Sequence, residues 1–312
     1  MTYEQYLQKI CKEDPNFVVM TSENRAAMRN IQDELGNRLI DTGIAEQTLC
    51  GMAAGLALCG KKPIVHALAT FLTMRPFEFI RTDVGIPSLP VKFVGAVAGV
   101  LSEANGPTHQ AIEDISLMRG IPNMRVFAPT DKIELALGME KILHDKAPWY
   151  IRYTNFEPVI EHAPFEIGKA ERVFEGRDIT FISYGALFGQ TYTAAELLRA
   201  NGYSVGLINI RSLKPIDENL VFEVLRRSRL VVTVEDHFLT GGLFSIIAEL
   251  MALHQVTGRI YPIAFANRWF RPAMLPDVLQ YERLRGEDIA ARVEKYFNEQ
   301  VLGTVQVPLP HN

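Results

Sequence analysis

Cysteine is scarce: Cys11, Cys50 and Cys59 are the three in 312 residues. Their number is odd and no pair has metal-ligand spacing, so neither a disulfide framework nor a zinc site is expected, and a reducing, cytoplasmic setting fits best. A surplus of one charge is missing too. The formal net charge is −4 with both signs interspersed, which leaves no basic stripe for nucleic acid and no polybasic face for an anionic membrane. No apolar run reaches transmembrane length, and Met1 to Asp14 lacks the apolar stretch of a secretory leader. What the chain does have is core material: 48% hydrophobic residues over a length that suits about two soluble domains.

Short β-rich runs alternate with longer segments of helical period, the pattern of parallel sheets with crossover helices. Phe17 to Met20, Pro63 to Val65, Val91 to Val94, Arg125 to Phe127 and Trp149 to Ile151 read as strands. Glu46 to Leu58, Arg75 to Asp83 and Asp131 to Leu143 read as helices, the last capped by Thr130 or Asp131. Residues 157–176 hold prolines and charges without a period and read as a linker. A second α/β unit follows, with strands at Ile179 to Tyr184, Ser204 to Ile210 and Leu230 to Glu235, and helices beginning near Gly189, Ile216 and Gly242. No repeat relates the halves. The expected fold is α/β, two domains over 1–156 and 177–300, each a mainly parallel sheet flanked by helices, with a loose tail over 301–312.

Two motifs can carry chemistry. Asp41-Thr42-Gly43-Ile44-Ala45-Glu46-Gln47 leads into the small residues Gly51 to Ala57. A glutamate in a first helical turn ordinarily complements the helix dipole; among apolar neighbours it can instead hold or donate a proton at neutral pH. Asn105-Gly106-Pro107-Thr108-His109-Gln110 puts His109 at a turn after a strand, where open α/β sheets bind ligands, although a histidine there commonly serves as a cap. His66, near Phe71, reads as a hydrogen-bonded core histidine.

In order and at matching separations, Gly43-Ile44-Ala45-Glu46-Gln47, Thr70-Phe71-Leu72, Gly106-Pro107-Thr108-His109-Gln110 and Ile121-Pro122-Asn123 resemble the transketolase family. Ser212-Leu213-Lys214-Pro215-Ile216-Asp217, Val232 to His237 and Gly241-Gly242 resemble the C-terminal domain that transketolases share with deoxyxylulose-phosphate synthases. The resemblance implies a pyrimidine-binding domain followed by a transketolase C-terminal domain, and thiamine diphosphate as cofactor. Glu46 then matches the glutamate that hydrogen-bonds N1′ of the cofactor's aminopyrimidine, Phe71 the ring stacked on it, and His109 a histidine that faces the substrate hydroxyls. A full transketolase also has a Gly-Asp-Gly motif that helps bind the magnesium diphosphate. None occurs here. The resemblance therefore implies the small subunit of a split transketolase: no metal ligand of its own, Mg²⁺ and the diphosphate held by a separate N-terminal subunit, and an α2β2 assembly in which this chain dimerises.

Departures bear on the sugar. Asn105 stands where the family has Asp, Val97 where transketolases place a phosphate-binding histidine, and a further family arginine falls at or before Met1. That leaves Asn105, His109 and Arg152 as candidate substrate contacts, with Arg152 taking an anionic end group or else forming a salt bridge at a strand end. The competing readings are a 2-oxo acid dehydrogenase β subunit, which has His-Ser-Gln at the Thr108-His109-Gln110 position, a deoxyxylulose-phosphate synthase fragment, and a non-catalytic scaffolding subunit.

Overall fold

The apolar runs are buried from end to end, as in β1 (Phe17–Thr21), where all five residues are enclosed. A strand buried on both faces belongs in a parallel sheet covered by helices on each side. The structure, a computed structural model, describes residues 2–24, 26–101 and 103–303, and it contains two such sheets. The first also has β2 (Leu39–Asp41), β3 (Lys62–Leu68), β4 (Lys92–Ala96), β5 (Arg125–Phe127) and β6 (Trp149–Arg152). The second is made from β7 (Glu171–Phe174), β8 (Ile179–Ser183), β9 (Val205–Asn209), β11 (Leu230–Phe238) and β12 (Ile260–Phe265), while β10 (Ser212–Lys214) crosses back to the first. The strand orders are β10-β5-β6-β4-β3-β1-β2 and β12-β11-β8-β9-β7. All neighbours are parallel except β10 on β5 and β7 on β9. The fold is thus α/β with two mainly parallel sheets between helices. No helix among the described residues is long and apolar enough to cross a membrane.

Two local expectations change. Residues 157–176 are not simply a linker, because they contain β7, an edge strand whose Glu171-Arg172-Val173-Phe174 pattern needs only partial cover. The helix expected from Arg75 begins earlier, at Ala69–Met74, and is followed beyond Pro76 by Phe77–Phe79 and a π-helical turn at Ile80–Gly85. Proline removes a helix donor, which accounts for the break. Leu213, in the short β10, joins a core that includes Val18, Met20 and Val65 of one sheet and Ile182, Ile208 and Val231 of the other. The two units therefore share one hydrophobic core. Residues 304–312, most of the expected tail, lie outside the described residues.

A buried ionic cluster reinforces the junction. His162 lies with Nε2 2.6 Å from Asp131 Oδ2 and Nδ1 2.8 Å from Glu171 Oε2, and Arg211 pairs with Glu134 at 2.8 Å and Glu171 at 2.7 Å. Glu134, His162 and Glu171 have donor atoms within 4.8 Å of one another, close enough to suggest a metal. However, burial lowers the His162 pKa less than the bonds to Asp131 and Glu171 raise it, and it is pushed up to about 10. Arg211 already supplies the positive charge for Glu134 and Glu171, and His162 bridges Asp131 and Glu171, so these groups are joined as an ion-pair network.

The sign of its pH dependence follows. A histidine raised from its ordinary value of about 6.5 to about 10 contributes stability that is complete below about pH 6.5 and is lost as pH climbs through about 10. Burial drives Lys92 the other way, down to about 7, so over much of the same range its contribution grows with pH. Comparing wild type with His162→Gln separates the two. The melting-temperature advantage of wild type over the variant should be largest near pH 6.5 and shrink steadily toward pH 10; a constant gap would show that His162 is not charged in the fold.

Candidate active site

The carboxyl ends of β1 to β4 converge on one edge of the first sheet, and each delivers a loop there. Beyond β1, Ser22 Oγ donates to the Gly43 carbonyl at 2.5 Å and accepts the Ala45 N–H at 3.1 Å. Asp41 Oδ1, at the end of β2, accepts the Gly43 N–H at 3.0 Å. These bonds fix the turn from which the Glu46–Leu58 helix starts. Its first residue, Glu46, is 3% exposed, a carboxylate enclosed at a helix N-terminus.

After β3 the chain enters the Ala69–Met74 helix at once, which puts Phe71 beside Glu46 on a cavity of about 580 Å³. Ser22, Arg29, Ile44 and Val97 also line it. Arg75, four residues after Phe71 and so on the same helical face, lays its guanidinium 3.7 Å from the Phe71 ring centroid. Its Nη1 donates to both carboxylate oxygens of Glu46 at 3.1 Å. On the loop after β4, His109 meets Phe71 edge to face, ring centroids 5.0 Å apart, and its Nδ1 lies 2.9 Å from Thr108 Oγ1. Val97 has a φ of 58°, unusual for a β-branched residue and a strain of about 1–3 kcal/mol. The cavity wall at Val97 is therefore apolar and strained.

The geometry suits the aminopyrimidine of thiamine diphosphate, a flat ring with hydrogen-bonding nitrogens. A planar N–H donor already sits against both Phe71 and Glu46 in the form of Arg75. The Phe71 face and the Glu46 carboxylate are the residues that would hold the ring.

Of the residues singled out from sequence, Glu46, Phe71 and His109 come together. Asn105 lies on the same loop as His109 but is exposed, with no side-chain hydrogen bond among the described residues. His66 is a satisfied core histidine, its Nε2 2.7 Å from Tyr3 Oη and its Nδ1 3.2 Å from the Met20 carbonyl. Arg152 is the correction. It is 4% exposed, bonded to both oxygens of Asp114 at 2.8 and 2.6 Å and to Asp236 at 2.5 Å. All three guanidinium nitrogens are engaged inside the domain junction, so it has no free edge for a substrate anion. Burial would raise Asp114, but Arg152 more than reverses that and holds it below the ordinary carboxylate range. Asp236, with a single bond to Arg152 and Asp114 nearby, is pushed up by burial. Sequence reasoning missed Arg75. The available signal was an arginine at i+4 from the aromatic of the Thr70-Phe71-Leu72 motif.

Known proteins agree on the family. The family model "Transketolase, pyrimidine binding domain" matches residues 1–156 and "Transketolase, C-terminal domain" matches 168–289. A Methanocaldococcus jannaschii protein named "Putative transketolase C-terminal section" is 35% identical over 93% of each chain. The 6-deoxy-6-sulfo-D-fructose transketolase subunit SqwH of Clostridium sp. is 34% identical over 80% of this chain and 79% of its own. A 1-deoxy-D-xylulose-5-phosphate synthase of Synechococcus sp. is 33% identical over 97% of this chain, which spans 48% of that enzyme. Among solved structures, one described as "Split gene transketolase, inactive beta4 tetramer" superposes with a TM-score of 0.86 at 32% identity, covering 95% of this chain and 97% of that one.

The Arg152 geometry yields a stability prediction. Arg152→Ala leaves Asp114 and Asp236 buried without their cation, and breaking such a pair typically costs about 3–5 kcal/mol. Chemical denaturation should show a loss of that order. A stable variant with selectively weakened use of an anionic substrate would restore Arg152 to the pocket.

Proposed function

The chain belongs to the transketolase family, and from that premise we propose that it is the pyrimidine-binding half of a two-chain, thiamine-diphosphate-dependent transketolase that moves a two-carbon ketol unit from a ketose to an aldose. The observation that carries this reading is the grouping of Glu46, Phe71 and His109 at the carboxyl edge of the first sheet. When bound, thiamine diphosphate supplies the nucleophilic carbon that a ketol transfer needs. Glu46 holds and moves a proton at N1′ of the aminopyrimidine, in a site shielded enough to keep that proton from water. Phe71 fixes the ring plane by stacking. The Nδ1 edge of His109 is tethered to Thr108, leaving Nε2 for the hydroxyl groups of the sugar.

Magnesium and the diphosphate belong on this reading to a partner subunit, because the chain has no Gly-Asp-Gly. Two copies of each subunit form the working α2β2 enzyme, in a cytoplasmic setting suited to free cysteines. The sugar pair is non-standard. Val97 replaces a cation with an apolar wall, Asn105 replaces a carboxylate with an amide, and Arg152 is committed elsewhere. The similarity to a subunit of a sulfosugar transketolase fits a family branch in which the acceptor or donor end group varies.

The chain alone should bind thiamine diphosphate weakly and transfer no ketol unit, and adding the Gly-Asp-Gly partner should restore both. Full activity from the single chain would overturn the two-chain reading. In the reconstituted enzyme, Glu46→Gln keeps size and hydrogen-bonding capacity but removes the titrating proton. Exchange of the cofactor's C2 proton, followed by NMR, should fall about 10²–10⁴-fold, the usual contribution of a positioned acid-base group. An unchanged rate would leave Glu46 as an ordinary helix-start acid. Turnover of pyruvate with an aldose phosphate, but not of ketose donors, would favour a deoxyxylulose-phosphate synthase reaction instead.

A further inference from the structure

Arg75 makes two contacts that a bound aminopyrimidine also needs. Its flat guanidinium stacks on Phe71 at 3.7 Å, and Nη1 reaches both oxygens of Glu46 at 3.1 Å. A ring that stacked on the same face of Phe71 and bonded Glu46 from that side would have to take the place of the guanidinium. Nothing else among the described residues anchors the Arg75 side chain, which is 40% exposed. Among the described residues it is therefore held only by Glu46 and Phe71, two residues of the cavity wall, and part of it is open to solvent.

We propose that Arg75 is a built-in placeholder for the cofactor ring: it closes the pyrimidine seat when thiamine diphosphate is absent and must swing out of it for the cofactor to load. This rests on the assignment of Glu46 and Phe71 as the pyrimidine site. Arginine suits the task because it is planar enough to stack and always charged, so it both covers the aromatic face and neutralises an enclosed carboxylate. A lysine in the same position could do only the second. The physical consequence is a loading penalty, since apparent affinity is the intrinsic affinity scaled by the fraction of molecules with the seat open.

The test uses the reconstituted two-chain complex, titrated calorimetrically with thiamine diphosphate and followed by stopped-flow binding. If the seat is closed in about nine molecules of ten, Arg75→Met tightens the apparent Kd about ten-fold and accelerates association. Arg75→Lys, with charge but no planar face, falls between wild type and Met. Arg75→Gln supplies the same comparison should the Met variant fold poorly, and melting curves verify the fold of each. An unchanged or weakened affinity in both neutral variants overturns the placeholder and makes Arg75 a support for Glu46. Glu46→Gln is the control for the underlying site: if it leaves C2-proton exchange intact, the pyrimidine assignment fails and takes this proposal with it. If exchange collapses while the Arg75 variants bind no better, only the placeholder fails.

Discussion

The Arg152 guanidinium, clamped between Asp114 of the first unit and Asp236 of the second, is the constraint on which the rest of the arrangement depends. Its three carboxylate bonds are formed in a nearly dry junction, where an unpaired charge is costly and a paired one demands close geometry. That demand extends to the backbone. A Cβ on Gly99 would lie 1.9 Å from Asp236 Oδ2, so the loop after β4 can approach the second unit only at glycine. Gly106 repeats the arrangement farther along the same loop, with Pro272 at 2.6 Å from where its Cβ would be. The Gly-Pro turn that precedes His109 is thus shaped by the second unit as well as by its own backbone.

This changes what the second unit's motifs do. Val232-Thr233-Val234-Glu235-Asp236-His237 is a run of buried β11 residues, not a set of side chains turned to a ligand. Glu235, pushed up to about 7 by burial, accepts the Leu243 and Phe244 N–H groups that open the following helix. Burial lowers His237 to about 4, so it is neutral near pH 7, and its Nε2 faces the Ser116 amide at 3.3 Å, two residues on from Asp114. The second unit acts on the site from behind, by fixing the loop and helix that flank His109.

Much of this was legible in the sequence because the strongest signals are local. Long runs such as Phe17 to Met20 and Leu230 to Glu235 are buried on both faces, and the Glu46–Leu58 helix has the bounds that its small, apolar composition suggested. The short edge strands β2, β7 and β10 were not legible, since three or four residues have too little period to separate them from loop. Arg152 was misjudged for another reason. A strand-end arginine looks the same in sequence whether it faces solvent or a carboxylate some eighty residues away, and only the packing of two units brings Asp114 and Asp236 to it.

The same reasoning explains why ionic groups are treated so differently in two parts of one chain. At the junction, acids and bases are buried and Arg152 is fixed by three bonds to Asp114 and Asp236, so their charge serves geometry. At the edge of the first sheet, Glu46 is equally enclosed but opens onto a cavity of about 580 Å³ and has a partner, Arg75, with no second anchor among the described residues. An enclosed carboxylate needs a counter-charge to remain soluble in its own fold, yet a working acid must be able to exchange that counter-charge for a ligand. An arginine able to leave, as proposed for Arg75, would meet both requirements, whereas a clamp like that on Arg152 would meet only the first. The contrast is between charges buried within protein and a carboxylate on a cavity wall, and it is on that difference that the proposed role of the sheet edge rests.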